Sequence, residues 1–422
     1  MFWLLLTLII RFFLMAFTIH PDFFFIHMFP NLFVSHGISN IYQIFNSNQY
    51  LKTTIYYSPL VFIFFSLVQL IFKPINAGFS ELMDNAFKID ASSFNTNPII
   101  YFQGAQDSVY INFFLMKLPY LLFDIVLLAI LIRLSNNWTN AKKIFFISLF
   151  NPVVLYGTYM FGQFDIIPTT LLLLGIYLVI ARKLLSGMLL IGLSAALKNF
   201  SLILILPVAL SVGKDFKEKI KLSLYGFLPF VVSFLAFFLQ APNQAIYMII
   251  PKFYVEKVNL NPAIFSTVSK IARYSILFLS YGLVLFSANF IKTSKAAKVI
   301  GLSLISLLLL FALSPIVLFH YVTIVIPLLV IFLVEKKWFT SSLALYITSI
   351  AIFKNWTRIQ QLGLLAPINK RFYEGIQSTS EIVSNYISYS VISSTFYIIF
   401  FITSVVFILV SFKKIIFQSP VK

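Results

Sequence analysis

Long apolar stretches separated by short polar stretches make up most of this chain. A helix needs about 20 apolar residues to cross the hydrocarbon core of a bilayer, and only such helices satisfy their own backbone in lipid. The pattern predicts spans near 3–19, 55–72, 113–134, 144–161, 164–181, 222–239, 271–291, 299–319, 321–334, 338–352 and 391–412. The predicted fold is therefore an all-α, polytopic transmembrane protein of about 11 to 13 segments.

Composition supports a membrane environment. Of the 422 residues, 60% are hydrophobic, 18% are aromatic and only 10% are charged, whereas soluble domains are about half apolar and one quarter charged. The absence of cysteine excludes disulfides, cysteine-bound zinc and thiol catalysis. The formal net charge is +18, and the basic residues form short clusters between apolar runs. This placement predicts loops at an anionic membrane face and no nucleic-acid partner.

The basic clusters orient the predicted spans. They lie at Lys142-Lys143, Arg182-Lys183, Lys214 to Lys221, Lys292 to Lys298, Lys336-Lys337 and Lys413-Lys414. Placing them in the cytoplasm predicts external loops at 20–54, 240–270 and 353–390. One conflict follows. If the loop 20–54 is external and 55–72 crosses, the loop 73–112 is cytoplasmic, which contradicts the cytoplasmic placement of Lys142-Lys143 after the next span. Either 55–72 dips into the membrane without crossing, or the charge rule fails once.

Charged side chains also occur inside the predicted apolar segments. Arg11 belongs to a first helix that we predict to be retained, since no basic segment precedes it and no small-residue cleavage site follows. Arg11 is expected to extend towards the interface, or alternatively to face protein. Lys198 lies in the apolar stretch 187–212 between two cytoplasmic clusters, which predicts a hairpin or broken helix bending there. Its ammonium needs a partner, either an anion such as phosphate or a carboxylate such as Asp124 or Asp165.

The tripeptide His20-Pro21-Asp22 directly follows the first predicted helix. Pro21 is expected to end that helix, so Asp22 should emerge at the interface in a fixed direction. A partly desolvated carboxylate there could take a proton from a sugar hydroxyl. The alternative is a helix-end aspartate that points into water. Asp22 is thus the candidate catalytic residue.

Two further polar groups border apolar runs. Asp165, in the turn 162–165, is costly at the start of a membrane helix unless it caps the helix or binds a ligand. Gln163 beside it can hydrogen-bond neighbouring sugar hydroxyls. His320 and Tyr321 lie at a predicted external helix end, where His320 could contact a phosphate or orient a carboxylate, or the two could form an interfacial aromatic pair. Metal-ligand spacings, P-loops and dinucleotide motifs do not occur, so neither a cofactor nor a divalent metal is indicated.

Together these elements resemble the GT-C superfamily of integral-membrane glycosyltransferases. The similarity is greatest to the polyprenyl-phosphate-sugar mannosyltransferases, which include the GPI mannosyltransferase catalytic subunit and bacterial relatives. It is carried by His20-Pro21-Asp22, Gly37 to Tyr42, Tyr56 to Leu60, Pro119 to Asp124, Asn151-Pro152, Gly162 to Pro168, Gly187, Gly192 and Lys198. The resemblance covers residues 1–210 and implies a conserved module at 1–212 followed by a variable module at 213–422.

The resemblance implies an inverting hexosyltransferase in the cell membrane. It would move a mannose-like sugar from a polyprenyl-phosphate donor to a lipid or glycan acceptor at the external face, with Asp22 as general base. Many family members carry paired acids at that site, but Phe23 follows Asp22 here, so a metal-bound two-carboxylate site is not expected. The expected substrate-binding residues are His20, Tyr57, Gln163, Asp165, Lys198, His320 and Tyr321. The alternative function is a transporter or flippase for a lipid-linked glycan, which would need broken helices in matching halves.

Overall fold

A computed structural model describes residues 2–18, 20–37, 57–76, 78–88, 108–135, 137–240, 263–290, 295–313, 319–335, 342–347, 386 and 389–417. The first helices are α1 (Phe2–Phe17), α2 (Pro21–His36), α3 (Pro59–Phe72), α4 (Phe79–Lys88), α5 (Val109–Leu134), α6 (Trp138–Leu149), α7 (Ile166–Ile180) and α8 (Leu184–Leu197). They are followed by α9 (Leu202–Val212), α10 (Phe216–Gln240), α11 (Ala263–Phe290), α12 (Lys295–Leu313), α13 (Ile326–Val334) and α14 (Tyr389–Phe417). A π-helix (Leu155–Met160) and two 3-10 helices (Asn199–Ser201 and Phe319–Ile324) separate some of them. The described ranges contain no strand, as the all-α prediction requires.

Several of these helices are long and apolar enough to cross a membrane. Within the described ranges, Val109–Leu134, Trp138–Met160 and Ala296–Leu313 meet this criterion, and α1 with α2 forms a fourth candidate that bends by 68°. Further apolar helical stretches of 10–17 residues occur within the described ranges, for example Pro59–Phe72 and Leu184–Leu197. Three to four of the predicted 11 to 13 segments meet this criterion within the described ranges, and some predicted spans, such as 338–352, lie partly outside those ranges.

Large apolar side chains cover the outer faces of the helices. On α10, Leu224 is 64% exposed and Leu239 is 76% exposed, and on α11 Phe278 is 78% exposed. Contiguous apolar surface of this kind is rare on water-soluble monomers. Together with the long apolar helices, it supports a membrane protein with several spans.

Close helix packing in the centre of the protein positions the polar residues. Helix α8 packs against both α7 and α10. Gly175 of α7 faces Gly187 of α8 so closely that a Cβ on Gly175 would lie 2.8 Å from the Gly187 carbonyl oxygen. Because α7 begins where α8 ends, the antiparallel hairpin brings Asp165 and Lys198 to the same end.

The first part of the loop predicted at 20–54 is helical. Pro21 does not release a loop but starts α2, because a proline in the first helical turn needs no N–H partner and its fixed φ suits a helix. The His20 side chain caps this helix by accepting a backbone hydrogen bond at 3.2 Å, and Gly37, with φ of 67°, ends it. Asp22 consequently lies in the first turn of a helix.

The other predicted loops are covered only in part. Residues 38–56, 241–262 and 353–385 lie outside the described residues. Residues 263–270, expected in an external loop, belong to α11, and α4 lies inside the predicted polar loop 73–112. The division of the chain into two modules stays a prediction.

Candidate functional site

The eight residues predicted for the site are joined by contacts, some of them through the rings of Phe161 and Phe164. They come from the junction of α1 and α2, the turn before α7, the break between α8 and α9, the 3-10 helix before α13 and the segment before α3. We call this set the acid–lysine cluster: His20, Asp22, Tyr57, Gln163, Asp165, Lys198, His320 and Tyr321. Residues distant in the sequence thus meet at one place in the fold.

The turn before α7 presents two members of the cluster. Gly162 has φ of 77°, a left-handed conformation that side-chain-bearing residues rarely adopt. The Gly162 carbonyl accepts a hydrogen bond from the Tyr120 hydroxyl at 3.1 Å, and the backbone N–H of Gln163 donates to the Gly157 carbonyl at 3.1 Å. The turn is therefore held from two sides, which fixes the positions of Gln163 and Asp165.

Asp22 is the most exposed acid of the cluster, with 29% of its side chain accessible. The Gln163 side-chain amide donates a hydrogen bond to Asp22 Oδ2. His20 Nδ1 accepts the Asp22 backbone N–H at 3.2 Å, so the ring proton of neutral His20 lies on Nε2. In the neutral tautomer that caps α2, His20 Nδ1 lies 3.4 Å from Asp22 Oδ1 and carries no proton to donate to it. Asp22 Oδ1 can therefore accept a proton from a ligand.

Asp165 and Lys198 form a buried ion pair. Lys198 Nζ donates to Asp165 Oδ1, and their side chains are 12% and 5% exposed, respectively. Asp165 occupies the N-cap position of α7, but its side chain makes no capping hydrogen bond, so the helix-cap hypothesis is wrong. Lys198 has an extended backbone (φ −146°, ψ 116°) directly after α8, which confirms the predicted break. Of the two carboxylates considered as partners, the structure selects Asp165.

Aromatic rings surround the rest of the Lys198 ammonium. Its Nζ lies 4.7 Å from the ring centre of Tyr321, 5.3 Å from Phe164 and 5.6 Å from Phe200. Among the described residues, Asp165 is the one that accepts a hydrogen bond from Lys198. Since an ammonium has three N–H groups, Lys198 can donate to an anionic ligand while it stays paired with Asp165.

Two buried acceptor oxygens of the cluster have no hydrogen-bond partner among the described residues, namely Asp165 Oδ2 and Gln163 Oε1. His320 Nε2 lies 3.9 Å from Asp165 Oδ2, which is too far for a hydrogen bond. A buried polar atom left in this state costs about 1–3 kcal/mol. Hydroxyl groups of a bound ligand would remove this cost by donating to both oxygens.

Phe161 links the histidines of the cluster and was not anticipated from the sequence. The His20 ring stacks on Phe161 with centroids 3.4 Å apart, and His320 stacks at 5.6 Å. Tyr57 packs edge-on against Phe164 at 5.3 Å. These ring contacts join the α1–α2 junction, the turn before α7 and the 3-10 helix Phe319–Ile324. No sequence motif predicts them.

Lys117 is a second residue that the sequence reasoning missed. It is fully buried and donates to the Thr18 carbonyl at 2.6 Å, the Thr18 hydroxyl at 3.2 Å and the Tyr159 carbonyl at 2.9 Å. It thus ties the end of α1 to the π-helix, behind the Gly162 turn. A lone lysine inside the predicted span 113–134 was the available signal, the same one that identified Lys198.

A separate buried pair lies between α1 and α5. Arg11 and Asp124 are 4% and 12% exposed, with Nη2 and Oδ2 2.9 Å apart. Arg11 also donates to the Leu149 carbonyl at 3.0 Å, and the Tyr159 hydroxyl donates to Asp124 at 2.7 Å. The expectation that Arg11 extends to the interface is therefore wrong, because the protein interior supplies an acid and a carbonyl for it.

Comparisons with known proteins do not assign this chain to a family. No protein-family model matches the sequence, and no curated protein is found to be similar to it. Within the described ranges, no three histidine, aspartate or glutamate residues are grouped so that they could hold a metal ion. The arguments for function rest on the geometry of the acid–lysine cluster.

Proposed function

We propose that this protein is an inverting, GT-C-type glycosyltransferase of the cell membrane. It would transfer a mannose-like hexose from a polyprenyl phosphate to a hydroxyl of a lipid- or glycan-linked acceptor. One observation carries the proposal: Asp22, a partly exposed acid, is hydrogen-bonded to Gln163, which lies two residues from the buried Asp165–Lys198 pair. The arrangement combines a base with a cation suited to a phosphate leaving group.

The depth of the cluster supports a lipid-linked substrate. Helix α8 has 14 residues, so it is about 21 Å long at about 1.5 Å per residue. Its first residue follows the basic pair Arg182-Lys183, which the charge rule places at the cytoplasmic interface. The hydrocarbon core is about 30 Å thick, so Lys198, at the other end of α8, would lie about 10 Å inside the external boundary of that core. A tilt of α8 would place Lys198 deeper. A soluble phosphate reaches that depth less readily than a polyprenyl lipid in the bilayer.

The proposed chemistry uses the residues in distinct roles. The acceptor hydroxyl gives its proton to Asp22 Oδ1 while its oxygen forms a bond to the sugar C1. The bond between C1 and the phosphate oxygen breaks, and its electron pair leaves with the polyprenyl phosphate, so the anomeric centre is inverted. Lys198 stabilises the negative charge that develops on the phosphate.

The unpaired oxygens of the cluster suit a sugar. Asp165 Oδ2 and Gln163 Oε1 accept hydrogen bonds, and neither has a donor among the described residues. A hexose offers several hydroxyl donors close together. The partly exposed rings of Phe200 and Tyr321 beside Lys198 offer an apolar surface for the sugar face.

Replacement of Asp22 tests the proposal. Purified protein in liposomes would be assayed with a panel of radiolabelled polyprenyl-phosphate hexoses and membrane-lipid acceptors. Asp22→Asn should lower transfer at least about 100-fold, because the amide cannot take the acceptor proton. The thermal unfolding midpoint should stay near that of the wild type.

Asp84→Asn is the matched control. The Asp84 side chain is 31% exposed, close to Asp22 in accessibility, and it pairs with His36 at the far end of α2. This control should retain transfer. Equal loss in both variants, or full transfer by Asp22→Asn, would exclude Asp22 as the base.

One observation favours a second candidate, a flippase or transporter for a lipid-linked glycan. Interrupted helices reach the cluster from both halves of the chain, at the α8–α9 break and at the 3-10 helix Phe319–Ile324. Discontinuous helices of this kind line the binding sites of many transporters. A fluorescent lipid-linked sugar that crosses liposome membranes without being transferred, and crosses equally well with Asp22→Asn, would favour this alternative.

A further inference from the structure

A second polar region lies at the other end of α8 from the acid–lysine cluster. A cavity of about 480 Å³ opens there between the starts of α8 and α10. It is lined by Leu184, Leu185, Lys214, Asp215, Lys217, Glu218, Lys221 and Leu222. We call it the basal cavity. Its lining combines three ammonium groups with an apolar side formed by leucines.

The acidic residues of the basal cavity are engaged with backbone amides. Asp215 Oδ1 accepts from the Glu218 N–H at 2.8 Å, and Glu218 Oε2 accepts from the Lys214 N–H at 2.7 Å. These reciprocal bonds cap the start of α10. Among the described residues, no ion pair joins Lys214, Lys217 or Lys221 to a carboxylate. The three ammonium groups are therefore available to an anionic ligand.

Positive charge extends around the basal cavity. Arg182 and Lys183 directly precede α8, and both are exposed. Lys219 of α10 donates to Asn289 of α11 at 2.5 Å, and its charge also acts on Lys298 of α12. Basic residues from the turn before α8, from α10 and from α12 thus lie at this end of the protein, and their combined field attracts anions.

Arg182 ends α7 in a left-handed backbone conformation. Its φ is 66°, and the Lys183 N–H bonds back to the Leu178 carbonyl at 2.9 Å, as in helix endings where glycine is usual.

An exposed apolar stripe on α10 begins beside the basal cavity. Its members recur about every helical turn and are 76%, 44%, 64% and 50% exposed, in the order Phe216, Ile220, Leu224 and Leu228. Lys217 and Lys221 stand next to the first two. A molecule with a phosphate in the cavity could therefore lay an alkyl chain along this stripe.

We infer that the basal cavity binds the phosphate headgroup of an anionic membrane lipid, with acyl chains along the α10 stripe. Any phosphate could pair with the lysines, but the continuous apolar stripe favours a lipid over a soluble phosphate. The site is separated from the acid–lysine cluster by the length of α8. Its existence is independent of the proposed sugar transfer.

Native mass spectrometry of the full-length protein tests this site. The purified protein would be titrated with phosphatidylglycerol and with phosphatidylcholine. Wild-type protein should retain phosphatidylglycerol preferentially, and the double variant Lys217→Gln/Lys221→Gln should bind it about 30-fold more weakly, since each lysine near an anionic headgroup contributes about 1 kcal/mol. The control Lys142→Gln/Lys143→Gln removes two exposed charges from α6 and should change binding less than about 2-fold.

Three results would overturn the inference. Equal weakening by both double variants would indicate general surface attraction, and inorganic phosphate that displaces the lipid at millimolar concentration would indicate a soluble ligand. Photocrosslinking of wild-type protein with a photoactivatable phosphatidylglycerol needs no variant and should label residues 214–222. Labelling confined to other segments would exclude the site.

Discussion

The two buried acid–base pairs differ in how completely the surrounding protein satisfies them. Asp124 accepts hydrogen bonds from Arg11 and from the Tyr159 hydroxyl, and Arg11 also donates to a backbone carbonyl. In the second pair, Asp165 Oδ2 has no hydrogen-bond partner among the described residues, and rings rather than further oxygens surround Lys198. Since buried polar groups are normally fully hydrogen-bonded, the first pair has the properties of a structural element and the second those of a ligand site.

The two pairs also differ in the regularity of their local backbone. Arg11 and Asp124 both lie within regular helices, whereas Lys198 lies at a helix break and Asp165 at the end of a turn. A helix break leaves backbone carbonyls without partners, and here the Ser58 hydroxyl binds one of them, that of Ala196. The chain thus supports an irregular segment at the second pair, which a purely structural ion pair would not require.

Neutralising the acid of each pair gives the largest predicted difference in stability. Asp124→Asn should destabilise the protein by about 3–5 kcal/mol, because a buried arginine loses its countercharge. Asp165→Asn should cost less, about 1–3 kcal/mol, because three rings within 5.6 Å still stabilise the lysine. Unfolding by sodium dodecyl sulfate in mixed micelles would measure both. Equal losses would contradict the distinction between the pairs.

Replacing both members of a pair separates stability from activity. Lys198→Met/Asp165→Leu leaves no unpaired charge and should fold, but transfer should fall at least about 100-fold, because the phosphate loses its cation. Arg11→Met/Asp124→Leu should keep transfer within about 3-fold while it loses stability from the unpaired Tyr159 hydroxyl. Initial transfer rates per folded protein would distinguish them. Normal transfer by the first double variant would remove the pair from the proposed site.

The sequence located the second pair better than the first. The position of the stretch 187–212 between two basic clusters predicted the helix break at Lys198, and the lone lysine within it predicted a charged partner. It could not choose between Asp124 and Asp165, because that choice depends on which helices pack together. Arg11 and its partner are 113 positions apart, so their contact is invisible to local patterns.

Ambiguous local rules account for other differences. A proline can end one helix or start the next, and at Pro21 the second outcome prevailed because His20 caps the new helix. The ring contacts of Phe161 join three separate segments, which only the folded chain brings together.

The smallest predicted effect concerns the amide that connects Asp22 to the second pair. Gln163→Met removes the donor to Asp22 Oδ2 and should lower transfer about 10-fold, since a hydrogen bond to a charged group contributes about 1.5–3 kcal/mol. Gln69→Met is the matched control, because Gln69 is also buried and its side-chain amide donates to the His27 carbonyl at 2.8 Å, its one acceptor within the described ranges. Both variants should lose similar stability, yet only Gln163→Met should lose transfer. A parallel loss of activity in the two would show that Gln163 acts through packing alone, and the link between base and ion pair would then have no role in the reaction.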